Sequence, residues 1–89
     1  FPALRLAREA MESRGLMGAV FNGAKERAMD HFIAGRIGFM QMSAVVEEVL
    51  ARLADHEKIK QQPMTLDTTA RADHLARVYA DNVAKEQNG

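Results

Sequence analysis

The chain has 89 residues, of which 47% are hydrophobic and 27% are charged, and its twelve basic residues balance twelve acidic ones. This length allows one small domain with a modest core, and the neutral balance argues against a nucleic-acid partner, which usually meets a basic surface. The absence of cysteine excludes disulfide scaffolds, thiolate zinc sites and cysteine nucleophiles.

The sequence also bears on location. Charged residues interrupt every apolar stretch well before the roughly 20 residues that a membrane-spanning helix needs, so we expect no membrane contact. No basic leader precedes a hydrophobic run, so we expect no signal peptide and a cytoplasmic location. The first residue is Phe1 and not methionine, which suggests a processed product or a piece of a longer polypeptide.

Apolar residues at helical spacing predict two helices in the first half of the chain. The first covers residues 2–14, because Pro2 suits a first turn and Gly15 suits the position after a helix end. The second covers residues 19–34 and ends before Gly35. Both helices have one apolar stripe, so each needs a partner to bury it.

The clearest periodicity predicts a third helix over residues 41–54. The polar stretch at residues 55–62 follows it and is predicted to be the longest loop. The apolar positions of this helix recur with the 3.6-residue period and are Met42, Val45, Val46, Val49, Leu50 and Leu53.

A fourth helix is predicted over residues 66–86, with Thr65 or Asp67 as its N-terminal cap. Residues 87–89 are expected to fray as a tail. Four one-sided helices joined by short loops must bury their stripes against one another. The sequence therefore predicts an all-α fold, a small four-helix bundle, with one domain over residues 1–86.

Residues that could carry acid–base or metal chemistry are sparse. Glu26 and Asp30 share a helix face, but a pair without burial or a metal is expected to be solvated. No glutamate has a histidine three residues later, a spacing that bundle metal sites use. His31, His56 and His74 lie on three different segments, so structural or surface roles are expected for all three.

Nucleophile and nucleic-acid motifs are equally weak. Ser13 and Ser43 are the two serines, and neither lies in a Gly-x-Ser-x-Gly turn. Gly35 and Gly38 match a G-x-x-G clamp for single-stranded RNA, but that clamp needs flanking strands and a basic surface. The residues therefore assign no catalytic, cofactor-binding or metal-binding position.

Three runs and the opening segment resemble one enzyme family. The runs are AVFNGAKE at residues 19–26, FIAGRIGF at residues 32–39 and VVEEVL at residues 45–50. The opening FPALRLA at residues 1–7 is similar to the segment that enters the same domain. In order and spacing, these runs resemble the C-terminal domain of 1-deoxy-D-xylulose 5-phosphate reductoisomerases.

Two residues depart from that family's pattern. Lys25 stands where the family usually has asparagine, and Gln41 stands where an aspartate commonly caps the next helix. The resemblance fades over the last predicted helix, where only a charged terminal helix is shared.

The resemblance implies a role within a larger enzyme. Family members carry an NADPH-binding domain, a catalytic domain and this helical domain, and they are usually homodimers. They isomerise and reduce 1-deoxy-D-xylulose 5-phosphate to 2-C-methyl-D-erythritol 4-phosphate, in the non-mevalonate route to isoprenoids, with Mg²⁺ or Mn²⁺. The family's metal, phosphate and cofactor residues lie upstream, so no catalytic residue is carried over to this chain.

The sequence thus predicts a structural domain that braces the catalytic domain of the same polypeptide and is inactive alone. The alternative is a stand-alone helical protein-interaction module. Its contact patch would combine residues 37–39 with the methionines near loops, Met17, Met40 and Met64. The predicted packing residues are Phe21, Phe32, Val46, Val49, Leu50, Leu53, Leu75 and Tyr79.

Overall fold

The computed structural model describes residues 16–60 and 62–88. These residues form three helices, α1 (Met17–Ile33), α2 (Phe39–Leu53) and α3 (Leu66–Asn88), and contain no strand. The all-α prediction is therefore confirmed for this part of the chain. The count of four helices is not supported here, because three are found and the predicted helix over residues 2–14 lies outside the described residues. None of the three described helices is both long and apolar enough to cross a membrane.

Helix α1 starts two residues earlier than predicted and ends at a glycine cap. Gly35 has a φ of 78°, the left-handed conformation that a residue without Cβ adopts at little cost. Its N–H donates to the Phe32 carbonyl at 3.0 Å, while the Arg36 N–H donates to the His31 carbonyl at 2.9 Å. This pair of hydrogen bonds is the Schellman motif, which satisfies carbonyls that the helix end leaves free.

Helix α2 begins two residues earlier than predicted because Gly38 serves as its N-terminal cap. The Gln41 side chain accepts a hydrogen bond from the Gly38 N–H at 2.6 Å, and the Gln41 N–H donates to the Gly38 carbonyl at 3.1 Å. Gln41 therefore still acts at the helix start, although it differs from the aspartate of the family pattern. The G-x-x-G spacing is explained by two helix caps.

Thr65 is the cap of α3, as predicted. Its hydroxyl oxygen accepts a hydrogen bond from the Thr68 N–H at 3.0 Å, and the Thr68 hydroxyl oxygen accepts from the Thr65 N–H at 2.9 Å. This reciprocal pair is a capping box in which threonine replaces the usual glutamate. The helix continues to Asn88, two residues beyond the predicted end.

The core lies between the three helices, and α1 with α3 forms the most extensive contact. Small residues make that contact close. A Cβ added at Gly23 would lie 2.7 Å from the Asp73 carbonyl oxygen and 3.3 Å from the Ala76 Cβ. The buried residues of α1 and α3 are mostly small: Gly23, Ala24, Ala28, Ala72, Ala76, Ala80 and Ala84.

Seven of the eight predicted packing residues lie in or against the core. Val46, Val49, Leu50 and Leu53 are buried, and Phe21, Leu75 and Tyr79 pack partly buried against them. The prediction for Phe32 is wrong, because its side chain is 36% exposed. It lies on the side of α1 away from the core, where its ring meets the Phe39 ring edge-on. The predicted loop after α2 also contributes to the core, through buried Ile59.

Candidate functional site

A polar cluster joins the C-terminal halves of α1 and α3. The Arg27 Nε donates to the Asp81 Oδ1 at 2.6 Å, and the His31 Nε2 lies 2.7 Å from the same oxygen. Arg27 also reaches Asp30 at 3.4 Å, and the Arg36 Nη1 lies 3.2 Å from the His31 Nδ1. The two contacts with Asp81 connect residues 54 and 50 positions apart, so the cluster fixes how the two helices meet.

The hydrogen bonds at His31 define its tautomer. A guanidinium only donates, so the Arg36 contact requires a lone pair on Nδ1. The proton of a neutral imidazole then lies on Nε2, where it is donated to the Asp81 carboxylate. His31 is 7% exposed, and the network satisfies both nitrogens. We expected a structural or surface role for this histidine, and the structure places it in a structural one.

The same contacts affect the acidity of Asp81. Burial raises the pKa of this carboxyl, but hydrogen bonds from Arg27 and then His31 lower it, and its pKa ends below the usual value of 3.8. A lowered pKa in the folded state means that the ionised carboxylate stabilises the fold above that usual value. The stabilisation is lost as the pH falls through the folded pKa.

Two further arginines connect helices from the outside. Arg77 pairs with Asp73 on its own helix and with Glu26 on α1, and the hydrogen bonds that it donates, first to Asp73 and then to Glu26, raise its pKa. Arg52 of α2 donates to both carboxylate oxygens of Glu86 at 3.0 and 2.7 Å, which lowers the pKa of Glu86. These pairs are half-exposed, so they orient the helices more than they stabilise them.

An apolar surface lies where α1 meets α2. We call it the α1–α2 corner. The Phe32 and Phe39 ring centroids are 5.9 Å apart, and Ile33 and Met40 are each 75% exposed. The corner consists of the exposed side chains Met29, Phe32, Ile33, Phe39 and Met40. Neighbouring large apolar side chains in contact with water are typical of a surface that meets another protein.

The predicted contact patch is only partly correct. Met40 and Phe39 are exposed, and Met64 is exposed next to α3. The prediction for Ile37 is wrong, because its side chain is buried. Met17 is partly buried and packs against the core. Helical periodicity does not predict the burial of Ile37, since residues 34–38 are not helical.

The remaining sequence candidates show no shared chemistry. Glu26 pairs with Arg77 and Asp30 with Arg27, so each has an arginine partner. The His56 Nδ1 accepts a hydrogen bond from the Lys58 N–H at 3.1 Å, and the His56 ring meets Tyr79 edge-on. Within residues 16–60 and 62–88, no three histidine, aspartate or glutamate side chains are grouped so that they could hold a metal ion. The feature that stands out among the described residues is therefore the exposed apolar surface of the α1–α2 corner.

Comparison with known proteins agrees with the resemblance. The family model described as "DXP reductoisomerase C-terminal domain" matches residues 1–79. A 1-deoxy-D-xylulose 5-phosphate reductoisomerase of Ruegeria pomeroyi is 55% identical over all 89 residues, which is 22% of that protein. Proteins of the same name are 56% identical over 94% of the chain in Cereibacter sphaeroides and 51% identical over 90% in Sinorhizobium fredii, covering 21% and 19% of those proteins.

The chain thus spans about a fifth of the length of the relatives that it matches. The family match covers most of its residues, including the three runs from which the resemblance was drawn. The chain belongs to the 1-deoxy-D-xylulose 5-phosphate reductoisomerase family, in which it corresponds to the C-terminal domain.

Proposed function

We propose that this domain braces the catalytic domain of a 1-deoxy-D-xylulose 5-phosphate reductoisomerase and takes no direct part in the reaction. The observation that carries the proposal is the match of residues 1–79 to the C-terminal domain of that family. The whole protein would use NADPH and Mg²⁺ or Mn²⁺ to isomerise and reduce its sugar-phosphate substrate in the cytoplasm. It would work as a homodimer, with its catalytic groups outside this chain.

The architecture supports a bracing role. Ion pairs connect α1 with α3 and α2 with α3, so the relative positions of the helices are specified from several sides. A fixed scaffold is useful to an enzyme, because a misplacement of about 1 Å at an active site can cost roughly 100-fold in rate. The domain can transmit that rigidity only through a surface that binds the catalytic domain.

The α1–α2 corner is our candidate for that surface. Burying one large apolar side chain stabilises a contact by about 1.5–3 kcal/mol, and the corner offers five such side chains. The relatives are several times longer than this chain, which supports a partner within the same polypeptide. We therefore propose that the catalytic domain of the same polypeptide covers the corner.

The first test is the mass of the natural gene product, measured by immunoblot of source cells with an antibody against this domain. We expect a band several-fold heavier than 9.9 kDa. A band at the mass of the fragment would contradict the proposal and leave a helical interaction module as the function.

The second test uses the natural full-length chain with Ile33→Gln in the corner. We expect reductoisomerase activity to fall about 10-fold or more while the melting temperature of this domain is nearly unchanged, because Ile33 is already exposed. Leu66→Gln is the matched control, since Leu66 is 93% exposed but lies outside the corner. Equal activity of the two variants would refute the corner as the bracing surface.

A further inference from the structure

A pocket of about 290 Å³ opens beside the polar cluster, between the C-terminal ends of α1 and α3. We call it the α1–α3 pocket. Its size is at the lower limit of ligand-binding clefts, so it suits a small ion or one group of a metabolite. It is lined by Arg27, His31, Arg36, Asp81, Ala84 and Lys85.

The charges of this lining do not cancel. Arg27 is paired with Asp81 at 2.6 Å and with Asp30 at 3.4 Å. Arg36 and Lys85 have no carboxylate within salt-bridge distance among the described residues. The C-terminal ends of the two helices carry about half a negative charge each, so together they offset only about one of these two cations. Three cations and one carboxylate line the pocket, so its lining keeps an excess of positive charge.

Buried His31 positions the Arg36 guanidinium at the pocket. The His31 Nδ1 accepts from Arg36 Nη1 at 3.2 Å, which holds the guanidinium at the pocket. A guanidinium has five N–H donors, so one contact with His31 leaves four for a ligand. The planar fork of arginine matches the paired oxygens of a phosphate, and the point charge of Lys85 complements it from α3.

We propose that the α1–α3 pocket is a binding site for a phosphate group, either as inorganic phosphate or as part of a small phosphomonoester. With no carboxylate partner among the described residues, Arg36 and Lys85 suit a group that carries about 1.5–2 negative charges at neutral pH better than a carboxylate with one. Arg36 and Lys85 contact the phosphate oxygens, and His31 is a positioning residue that acts through Arg36. This site is separate from the bracing role and does not depend on it.

The test follows the methyl group of Ala84 in the natural full-length chain. Ala84 lines the pocket, so its ¹³C-labelled methyl signal reports occupancy. Sodium phosphate is added while sodium chloride keeps the ionic strength constant, and glycerol 3-phosphate is titrated in parallel. We expect a saturable shift at Ala84, and the tighter of the two ligands identifies the source of the phosphate group.

A second pocket of this chain provides the control. It is lined by Ala70 together with the basic residues Lys58 and Arg71, so the Ala70 methyl reports unspecific attraction of phosphate. Arg36→Gln is expected to weaken the Ala84 response at least about 10-fold, since hydrogen bonds to charged groups are the strong ones. Lys58→Gln should leave it unchanged.

Three results would overturn the proposal. They are a linear response at Ala84 without saturation, equal shifts at Ala84 and Ala70, and an unchanged midpoint in Arg36→Gln. The Val45 methyls in the core serve as a folding check, because they are fully buried.

Discussion

Two faces of α1 differ in both size and polarity. The buried face is mostly glycine and alanine, with Val20 and His31, and the Arg27–Asp81 and Arg77–Glu26 ion pairs lie beside it. The face toward the α1–α2 corner carries Met29, Phe32 and Ile33, which remain exposed. The smaller residues are sealed inside the molecule and the larger ones are in water.

The difference in side-chain size separates a packing face of α1 from an exposed one. Small residues let two helix backbones approach closely, so the α1–α3 contact gains its fit from shape. Its surface ion pairs add only about 0–1 kcal/mol each, and they fix direction more than stability. Large exposed side chains add little to the stability of the domain alone, which is why we proposed a partner for the corner.

Leu50→Ala should cause the largest loss of stability among these variants. Leu50 is 3% exposed, so Leu50→Ala is expected to lower the free energy of unfolding by about 2–5 kcal/mol in urea denaturation. Phe32→Ala removes more atoms, yet it should cost only about 1 kcal/mol because the ring is partly in water. Similar losses for the two variants would mean that the corner belongs to the core.

Gly23→Ala tests how close the α1–α3 contact is. The new methyl would lie 2.7 Å from the Asp73 carbonyl oxygen, so a helix must move, at a cost of about 1–3 kcal/mol. Gly18→Ala on the same helix is the control. Among the described residues, a Cβ there meets nothing within 4 Å apart from its own chain neighbours and helix backbone, and alanine should stabilise the helix by about 0.5–1 kcal/mol. Opposite signs in thermal melts would support the close contact, and stabilisation by both would contradict it.

The three described helices follow from periodicity because their stripes repeat over several turns. Their ends are less predictable, since caps decide them: Gly38 and the Gln41 side chain start α2 two residues before its predicted start. Phe32 was misplaced because it lies at helical spacing from Phe21 and Ala28. Spacing alone does not say how wide the buried stripe is.

The polar cluster could not be predicted as a unit, because it joins residues about 50 positions apart. One signal was present, since His31 continues the buried series of Ala24 and Ala28. A histidine in that series needs a polar partner from another helix. Which partner it meets depends on the rotation of α3, and a pattern within one helix does not contain that information.

Compared with Leu50→Ala and Gly23→Ala, Asp81→Ala should cause the smallest loss of stability. It is the only one of the three whose effect should depend on pH. Removing the carboxylate leaves the His31 Nε2–H without an acceptor and leaves Arg27 with Asp30 alone, which is expected to cost about 1–2 kcal/mol at pH 7. The pKa of Asp81 is lowered in the folded state, so the native chain should hold this advantage above pH 3.8 and lose it as the pH falls through the folded pKa.

The measurement is urea denaturation of both chains from pH 7 downward, with Asp55→Ala as the control. Asp55 has a side chain that is 90% exposed and only a 3.7 Å contact with Lys60, so its removal should matter little at any pH. The gap between the native chain and Asp81→Ala should stay constant above pH 3.8 and narrow below it. A constant gap throughout would show that Asp81 acts through packing, and that the cluster does not hold α1 against α3 by charge.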